Sequence, residues 1–344
     1  MSSKLESKAS SEATFFGFLR RQFTKPKSLP PGIKLTDHVA IVTGSNVGLG
    51  FEASRQLLQL GLAHLVMGVR SQAKGDAAAA KLQKDFPSAT ISVWLVDLES
   101  YDSVRAFTEK CAALPRIDIA ILNAGLIQKE HVVVSSTKHE VTLQVNYLST
   151  VLLAVLLLPL LKAKKTVDAP RPPTLSIVGS DAAYNAKLDA KKPILPQFDD
   201  AKGSPLPLYA ISKLLLLAFV TKLAEFVNPD DVLVNISNPG MTKGTAFFTI
   251  FPAILQNIMA AAMLLVARSL SVGASCYVNA AIAQGKDSHG SFTSEWTIKP
   301  YPPLLYSPEG LEMRERLWEE TMAELDFAGA DDNVKRPGWG SATA

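Results

Sequence analysis

From Asp37 onward, short apolar and β-branched runs alternate with segments of helical periodicity, and this alternation constrains the fold more than any other feature of the chain. The runs are "HVAIVTG", "HLVMGV", "ISVWLVD", "DIAILNAG", "TLSIVGS" and "VLVNISNPG", each bounded by turn or cap residues. Between the first two lies "GLGFEASRQLLQLG", whose apolar positions recur at helical spacing and which ends at Gly61, a natural C-cap. Strands that alternate with helices form a parallel sheet, and strands covered on both faces are continuously apolar, as "VAIV" and "IAIL" are. The expected fold class is α/β, a doubly wound parallel sheet with helices on both faces.

No internal repeat or linker divides residues 36–328, which read as one domain. Residues 1–35 read as a polar N-terminal arm, because "FFGFL" is broken at once by Arg20 and Arg21 and is too short for a signal segment. Residues 329–344, rich in Gly, Asp, Ser and Ala, read as a flexible tail. Two stretches are apolar enough to be compared with membrane spans: "VLLAVLLLPLL" at 151–161 and the charge-free run at 244–267. The first is too short and contains Pro159; the second contains Pro252, Gln256 and Asn257. Both are expected to be a buried helix or a substrate lid.

With 47% hydrophobic and 19% charged residues, the chain has ample material for a core. Its net charge of +3, with no basic run interleaved with aromatics, argues against a nucleic-acid partner. The two cysteines, Cys111 and Cys276, form no C-x-x-C, and the five histidines form no metal-ligand cluster, so no metal is expected. Free buried thiols suit a reducing compartment, here the cytoplasm.

"TGSNVGLG", Thr43 to Gly50, follows the first strand and opens the first helix, as a phosphate-binding loop of a Rossmann-type fold requires. Gly44, Gly48 and Gly50 let backbone N–H groups of Ser45, Asn46 and Leu49 approach a pyrophosphate at a helix N-terminus. An NAD site carries an acid about 20 positions after the glycines. Here that stretch reads Val69 then Arg70, a guanidinium where a 2'-phosphate would sit, so NADP is favoured over NAD. Asp97 either accepts from the adenine amino group or caps the helix that follows. Asn123, Ala124 and Gly125 end the fourth strand, where ligands of open sheets bind.

"YAISK" places Tyr209 and Lys213 four residues apart, on one face of a helix. A tyrosine pKa near 10 must fall before a phenolate acts near neutrality, and an ammonium beside it, with a nicotinamide charge nearby, would lower it.

Together these residues resemble the short-chain dehydrogenases/reductases. The T-G-x-x-x-G-x-G loop, N-A-G at 123–125, Asn146 in "VNYLST", Ser180 ending the fifth strand, Y-x-x-x-K at 209–213 and P-G at 239–240 stand in that family's order over about residues 36–290. "SNVGLG", "GVRSQAKG" and "VDLESYDSVRAF" are similar to its retinol-dehydrogenase-like branch, particularly fungal members, many of which serve secondary-metabolite pathways. The resemblance implies Tyr209 as acid/base, Lys213 as its partner and a ribose ligand, Ser180 on the substrate oxygen, and Asn146 positioning a water. It implies that Pro239, Gly240 and Thr242 lie along the nicotinamide. Where the family often has V-x-T, Thr242 and Gly244 stand instead, leaving the carboxamide contact to the Thr242 backbone or to Thr245.

Ser180 and Tyr209 are further apart than the family's shortest spacing, so "AYNAKLDAKKPILPQFDDAKGSPLP" is expected to loop out beside the substrate mouth. The apolar stretch at about 241–270 falls where the family places its lid and suits a lipophilic ketone or secondary alcohol. An NADPH-dependent carbonyl reductase is the expected function. A retinol- or sterol-type alcohol dehydrogenase and a non-catalytic nucleotide sensor are the alternatives. Docking of the lid with "FFGFLRRQF" on a membrane surface, and association through the helices after Asn146 and around Tyr209, are further expectations left open.

Overall fold

A computed structural model describes residues 1–166, 171–199, 205–245 and 266–335. Eight strands form one sheet in the order β3-β2-β1-β4-β5-β6-β7-β8. They are β1 (Val39–Thr43), β2 (His64–Val69), β3 (Thr90–Leu95), β4 (Ile119–Leu122), β5 (Thr174–Val178), β6 (Leu233–Asn238), β7 (Phe292–Ser294) and β8 (Thr297–Lys299). All neighbours pair in parallel except β8, which runs antiparallel to β7. The first six are the six runs read from sequence. The last two are three residues each and polar, too short to carry a periodic signal.

β1 explains the layering. Val39 and Ile41 belong to one apolar cluster, and Ala40 and Val42 to the other, as the period of two along a strand requires. The first cluster holds α5 (Tyr101–Ala112), the long helix α6 (Val141–Ala163) and α8 (Pro205–Phe226). The second holds α3 (Gly48–Gln59), α4 (Gln72–Asp85) and α9 (Leu270–Ile282). Both long apolar helices have the length of a membrane span, yet the most apolar window of α6 is 94% buried and that of α8 is 67% buried, so the first suspected stretch is a core helix. The order reverses between β1 and β4, which opens a crevice at the carboxyl ends of these strands.

Residues 1–35 are not a polar arm throughout. They begin with α1 (Glu6–Glu12) and α2 (Phe15–Gln22), and the Ser2 hydroxyl accepts from Phe292 N at 2.9 Å, stitching the N-terminus to β7. The polar residues that suggest solvent exposure are buried in pairs: Glu12 and Arg21 meet at 2.9 Å with side chains 4% exposed each. The tail expectation is corrected in part as well. α10 (Pro308–Glu324) is followed by α11 (Ala330–Lys335), whose Ala330 and Val334 enter the first cluster; residues 336–344 lie outside the described residues.

The described part of the insertion before Tyr209 docks rather than looping free. It forms a 3-10 turn (Asp181–Asn185) and α7 (Ile194–Asp199), whose first N–H groups at Ile194 and Leu195 donate to the Glu320 carboxylate at 2.8 to 2.9 Å. A buried Ile194, Leu195 and Phe198 anchor it in the core. Most of the expected lid lies outside the described residues, but its two ends meet. Arg268 N donates to Met241 O at 2.9 Å, and Lys243 N to Arg268 O at 3.0 Å.

Candidate active site

The loop after β1 turns on two left-handed glycines, Gly44 at φ 65° and Gly48 at φ 59°. Gly50 is required for a different reason: a Cβ there would lie 2.5 Å from both the Asn123 amide nitrogen and the Gly44 carbonyl. Helix α3 then begins with Val47 in extended conformation, no side-chain cap and no acid in its first turn. The N–H groups of its first turn, at Gly48, Leu49 and Gly50, thus lack the side-chain partner that most helices supply. Ser45 is buried, and its hydroxyl has no hydrogen-bond partner among the described residues. Asn46 beside it is half-buried. An uncapped helix start, a glycine cradle and an orphaned hydroxyl fit a pyrophosphate.

β4 braces this loop. Asn123 Nδ2 donates to the Thr43 carbonyl at 2.9 Å and the Gly44 carbonyl at 3.3 Å, and the N–H groups of Asn123 and Ala124 both donate to Thr43 Oγ1 at 3.0 Å. Asn123 therefore shapes the nucleotide loop, a supporting role that the strand-end position alone did not reveal.

Arg70 ends β2 with an exposed guanidinium paired to Glu99 at 2.8 Å. It is not the free cation that the sequence suggests. Asp97 Oδ1 accepts from Glu99 N at 3.0 Å, and α5 is capped by Ser100 instead, whose hydroxyl accepts from Ser103 N at 3.2 Å. The capping alternative for Asp97 is thus corrected.

At the other end of the crevice, Ser180, Tyr209 and Lys213 line one cavity of about 620 Å³ with Leu49, Asn123 and Gly125. Pro239, Gly240 and Thr242 line it too. Lys213 Nζ donates to the Val178 carbonyl at 2.9 Å and stands 5.7 Å from the centre of the Tyr209 ring. Burial pushes the Tyr209 phenol up to about 12, opposed by its hydrogen bond to Ser180. Burial also pulls the Lys213 ammonium down to about 8. The protein's own groups do not lower the tyrosine, because desolvation of the phenolate outweighs the stabilisation that they provide.

Asn146 stands on a π-helical turn (Gln144–Leu148) within α6, an irregularity of the kind found at functional sites. Its amide clasps the Leu126 backbone, accepting from N and donating to O at 2.8 Å each, and donates to Ser212 Oγ at 3.2 Å. Ser212 in turn donates to the Tyr209 carbonyl at 2.7 Å. The Asn146 side chain is engaged by protein, and it links the Gly125–Leu126 turn to the helix of Tyr209. Ser212, inside "YAISK", is a supporting residue that the sequence reading passed over.

Thr242 is buried, and its hydroxyl donates to the Gly240 carbonyl at 3.1 Å. Thr245 Oγ1 donates to the Thr242 carbonyl at 3.1 Å. Gly273 makes room for this arrangement, since a Cβ there would lie 2.6 Å from Thr242 Oγ1.

A doubly wound sheet with a glycine-rich phosphate cradle at its switch point, and a Ser–Tyr–Lys set lining the same crevice, defines an oxidoreductase of the nicotinamide-dinucleotide class. Comparison with known proteins sharpens this. The short chain dehydrogenase family profile matches residues 38–167. Short chain dehydrogenase virL of Hypocrea virens is 62% identical over 335 residues, covering 97% of this chain and 98% of that protein. Short chain dehydrogenase/reductase mfmJ of Annulohypoxylon moriforme is 46% identical over 316 residues, covering 90% and 91%. The chain belongs to the short-chain dehydrogenases, oxidoreductases acting on CH–OH and C=O groups. In fold it is similar to an NADPH-bound short chain oxidoreductase from Pseudomonas aeruginosa PAO1, with TM-score 0.57 and 21% identity over 75% of this chain and 95% of that one. The RhlG/NADP complex of Pseudomonas aeruginosa has TM-score 0.57 and 21% identity over 77% and 96%.

Proposed function

We propose that this short-chain dehydrogenase is an NADPH-dependent reductase of lipophilic ketones. The observation that carries the reading is that Ser180, Tyr209 and Lys213 line one cavity of about 620 Å³ together with Leu49 of the glycine-rich loop and the Pro239–Thr242 loop. A phenol that holds its proton is the donor that a carbonyl oxygen needs in the reducing direction.

When bound, a nicotinamide dinucleotide supplies the hydride that the substrate carbon accepts. The Ser180 hydroxyl donates a hydrogen bond to the substrate oxygen. Tyr209 gives that oxygen its proton, completing the alcohol. Lys213, beside the ring, stabilises the phenolate left behind. The Gly44–Gly50 loop holds the pyrophosphate, and Pro239, Gly240 and Thr242 hold the nicotinamide end. Arg70, which follows β2 at the position where an NAD site would carry an acid, supports a 2'-phosphate and hence NADP, in competition with Glu99 for the same guanidinium. Two neighbours of the same fold, one bound to NADPH and one to NADP, point the same way. The apolar wall of the cavity supports a lipophilic substrate, such as a polyketide or terpenoid ketone of secondary metabolism.

The test is fluorescence titration of wild type and Arg70→Ala with NADPH and NADH, followed by turnover of a ketone panel by wild type and Tyr209→Phe. Tight NADPH binding weakened in the Arg70 variant, with turnover lost in Tyr209→Phe, is expected. NADH bound as tightly as NADPH overturns the cofactor assignment. Binding without turnover across the panel overturns the reductase.

A further inference from the structure

The N-terminal helices bring to the cavity what the sheet does not. Ala13, Thr14, Phe15, Phe18 and Arg21 line it, with the Phe15 and Phe18 rings stacked at 6.3 Å. Arg21 fastens this wall to the reacting centre. Its guanidinium reaches Glu12 at 2.9 Å and Asp181 at 3.1 Å, and lies 4.9 Å from the centre of the Tyr184 ring. Asp181 is the next residue after Ser180 and begins the turn that the Ser180 hydroxyl caps, accepting from Ala182 N at 3.1 Å.

The adjoining Gln22 grips the Pro239–Met241 loop as a backbone strand would. Its amide donates to the Met241 carbonyl at 2.7 Å and accepts from Met241 N at 3.1 Å. Arg268 closes the ring by donating to the Arg21 carbonyl at 2.6 Å and to the Pro239 carbonyl at 2.9 Å. α2 is therefore clamped both to the turn bearing Ser180 and to the loop expected along the nicotinamide. A wall held in that way places whatever it touches at a fixed distance from the reacting atoms.

We propose that α2 is the specificity-determining wall of the substrate cavity, in which Phe15 and Phe18 meet the apolar part of the substrate and Arg21 is the positioning residue that registers them against Ser180. This rests on the reductase reading. In an apolar pocket one methylene is worth about 10- to 200-fold in discrimination, so trimming one ring should be visible in selectivity.

The experiment measures kcat and KM with NADPH for a homologous series of alkyl aryl ketones in wild type, Phe18→Ala, Phe18→Leu, Arg21→Ala and Arg21→Lys. The ratio of kcat/KM between the bulkiest and the smallest ketone is independent of the fraction of enzyme folded. Phe18→Ala should move that ratio about tenfold toward the bulkier ketone, chiefly through KM, with Phe18→Leu between. Arg21→Ala should lower kcat and flatten the ratio, and Arg21→Lys should restore part of both, since it keeps the charge but not the fork. A ratio within twofold of wild type in both Phe18 variants overturns the wall. An Arg21→Ala enzyme with unchanged kcat and ratio overturns the positioning role. If wild type turns over no ketone, the reductase reading fails separately. The same ketones are then ranked by their shift of melting temperature, and an identical ranking for wild type and Phe18→Ala overturns the wall on its own.

Discussion

Lys213 donates its ammonium to the Val178 carbonyl at 2.9 Å from a position that is 4% exposed, so its charge is met by one strand-end carbonyl and the neighbouring Tyr209 ring. That arrangement leaves the ammonium poorly solvated, and burial pulls it down to about 8. The proposed reduction needs Lys213 charged to stabilise the Tyr209 phenolate. We expect kcat/KM for ketone reduction to be level below pH 8 and to fall about tenfold per unit above it. In Lys213→Arg the rate should be lower throughout but without this limb, because a guanidinium keeps its proton. A wild-type profile level to pH 9.5 would contradict the assignment.

Arg70 is held by Glu99 at 2.8 Å, and both side chains are substantially exposed. A 2'-phosphate would therefore compete with a carboxylate for the same guanidinium. Exposed pairs of this kind are worth about 0.2–1 kcal/mol. Glu99→Gln should accordingly tighten NADPH binding about two- to fivefold and leave NADH binding unchanged, as read by fluorescence titration. Equal changes for both nucleotides would show that Arg70 does not meet the 2'-phosphate.

α10 occupies a face of α8 through Trp318, which stacks on Phe219 at 5.2 Å and Phe226 at 5.0 Å. α11 adds Ala330 and Val334 to the cluster that contains α6. The two helices through which the family resemblance implies association are thus largely covered by the chain's own C-terminal segment. We expect a monomer by light scattering at micromolar concentration. Trp318→Ala should lower the unfolding free energy by about 3–5 kcal/mol in urea titration. A wild-type dimer would refute this account of the covered faces.

The first six strands were legible because each is a short run rich in apolar and β-branched residues bounded by turn or cap residues, a property that survives without knowledge of neighbours. The phosphate loop was legible for a related reason: left-handed turns at Gly44 and Gly48 leave a trace in residue type alone. Arg21 and Gln22 were not, since their partners Asp181 and Met241 are distant in sequence and only packing brings them together. The direction of the Tyr209 shift was equally hidden. A lysine four residues on is visible in "YAISK", whereas the burial that outweighs it depends on the whole cavity.

His139 joins three elements just before α6: Nδ1 lies 2.8 Å from Asp199 at the end of α7, and Nε2 lies 3.2 Å from Glu324 at the end of α10. Glu140 N also donates to Asp199 at 2.8 Å, and the Tyr101 hydroxyl to Glu324 at 3.1 Å. Hydrogen bonding to Asp199 and then to Glu324 raises the imidazole to about 9, against the effect of burial. The folded state then binds a proton that the unfolded chain, titrating near 6.5, gives up first. The stabilisation is complete below pH 6.5 and is lost as pH rises through 9. Lys213, depressed to about 8, acts with the opposite sign, adding stability between that pH and its unfolded value near 10.5. The His139 contribution is therefore clearest between pH 6.5 and 8. The wild-type melting temperature should fall by a few degrees across this window, and the fall should be smaller in His139→Gln, which keeps a polar side chain but does not titrate there. Parallel curves for the two proteins would mean that His139 is not charged in the folded state.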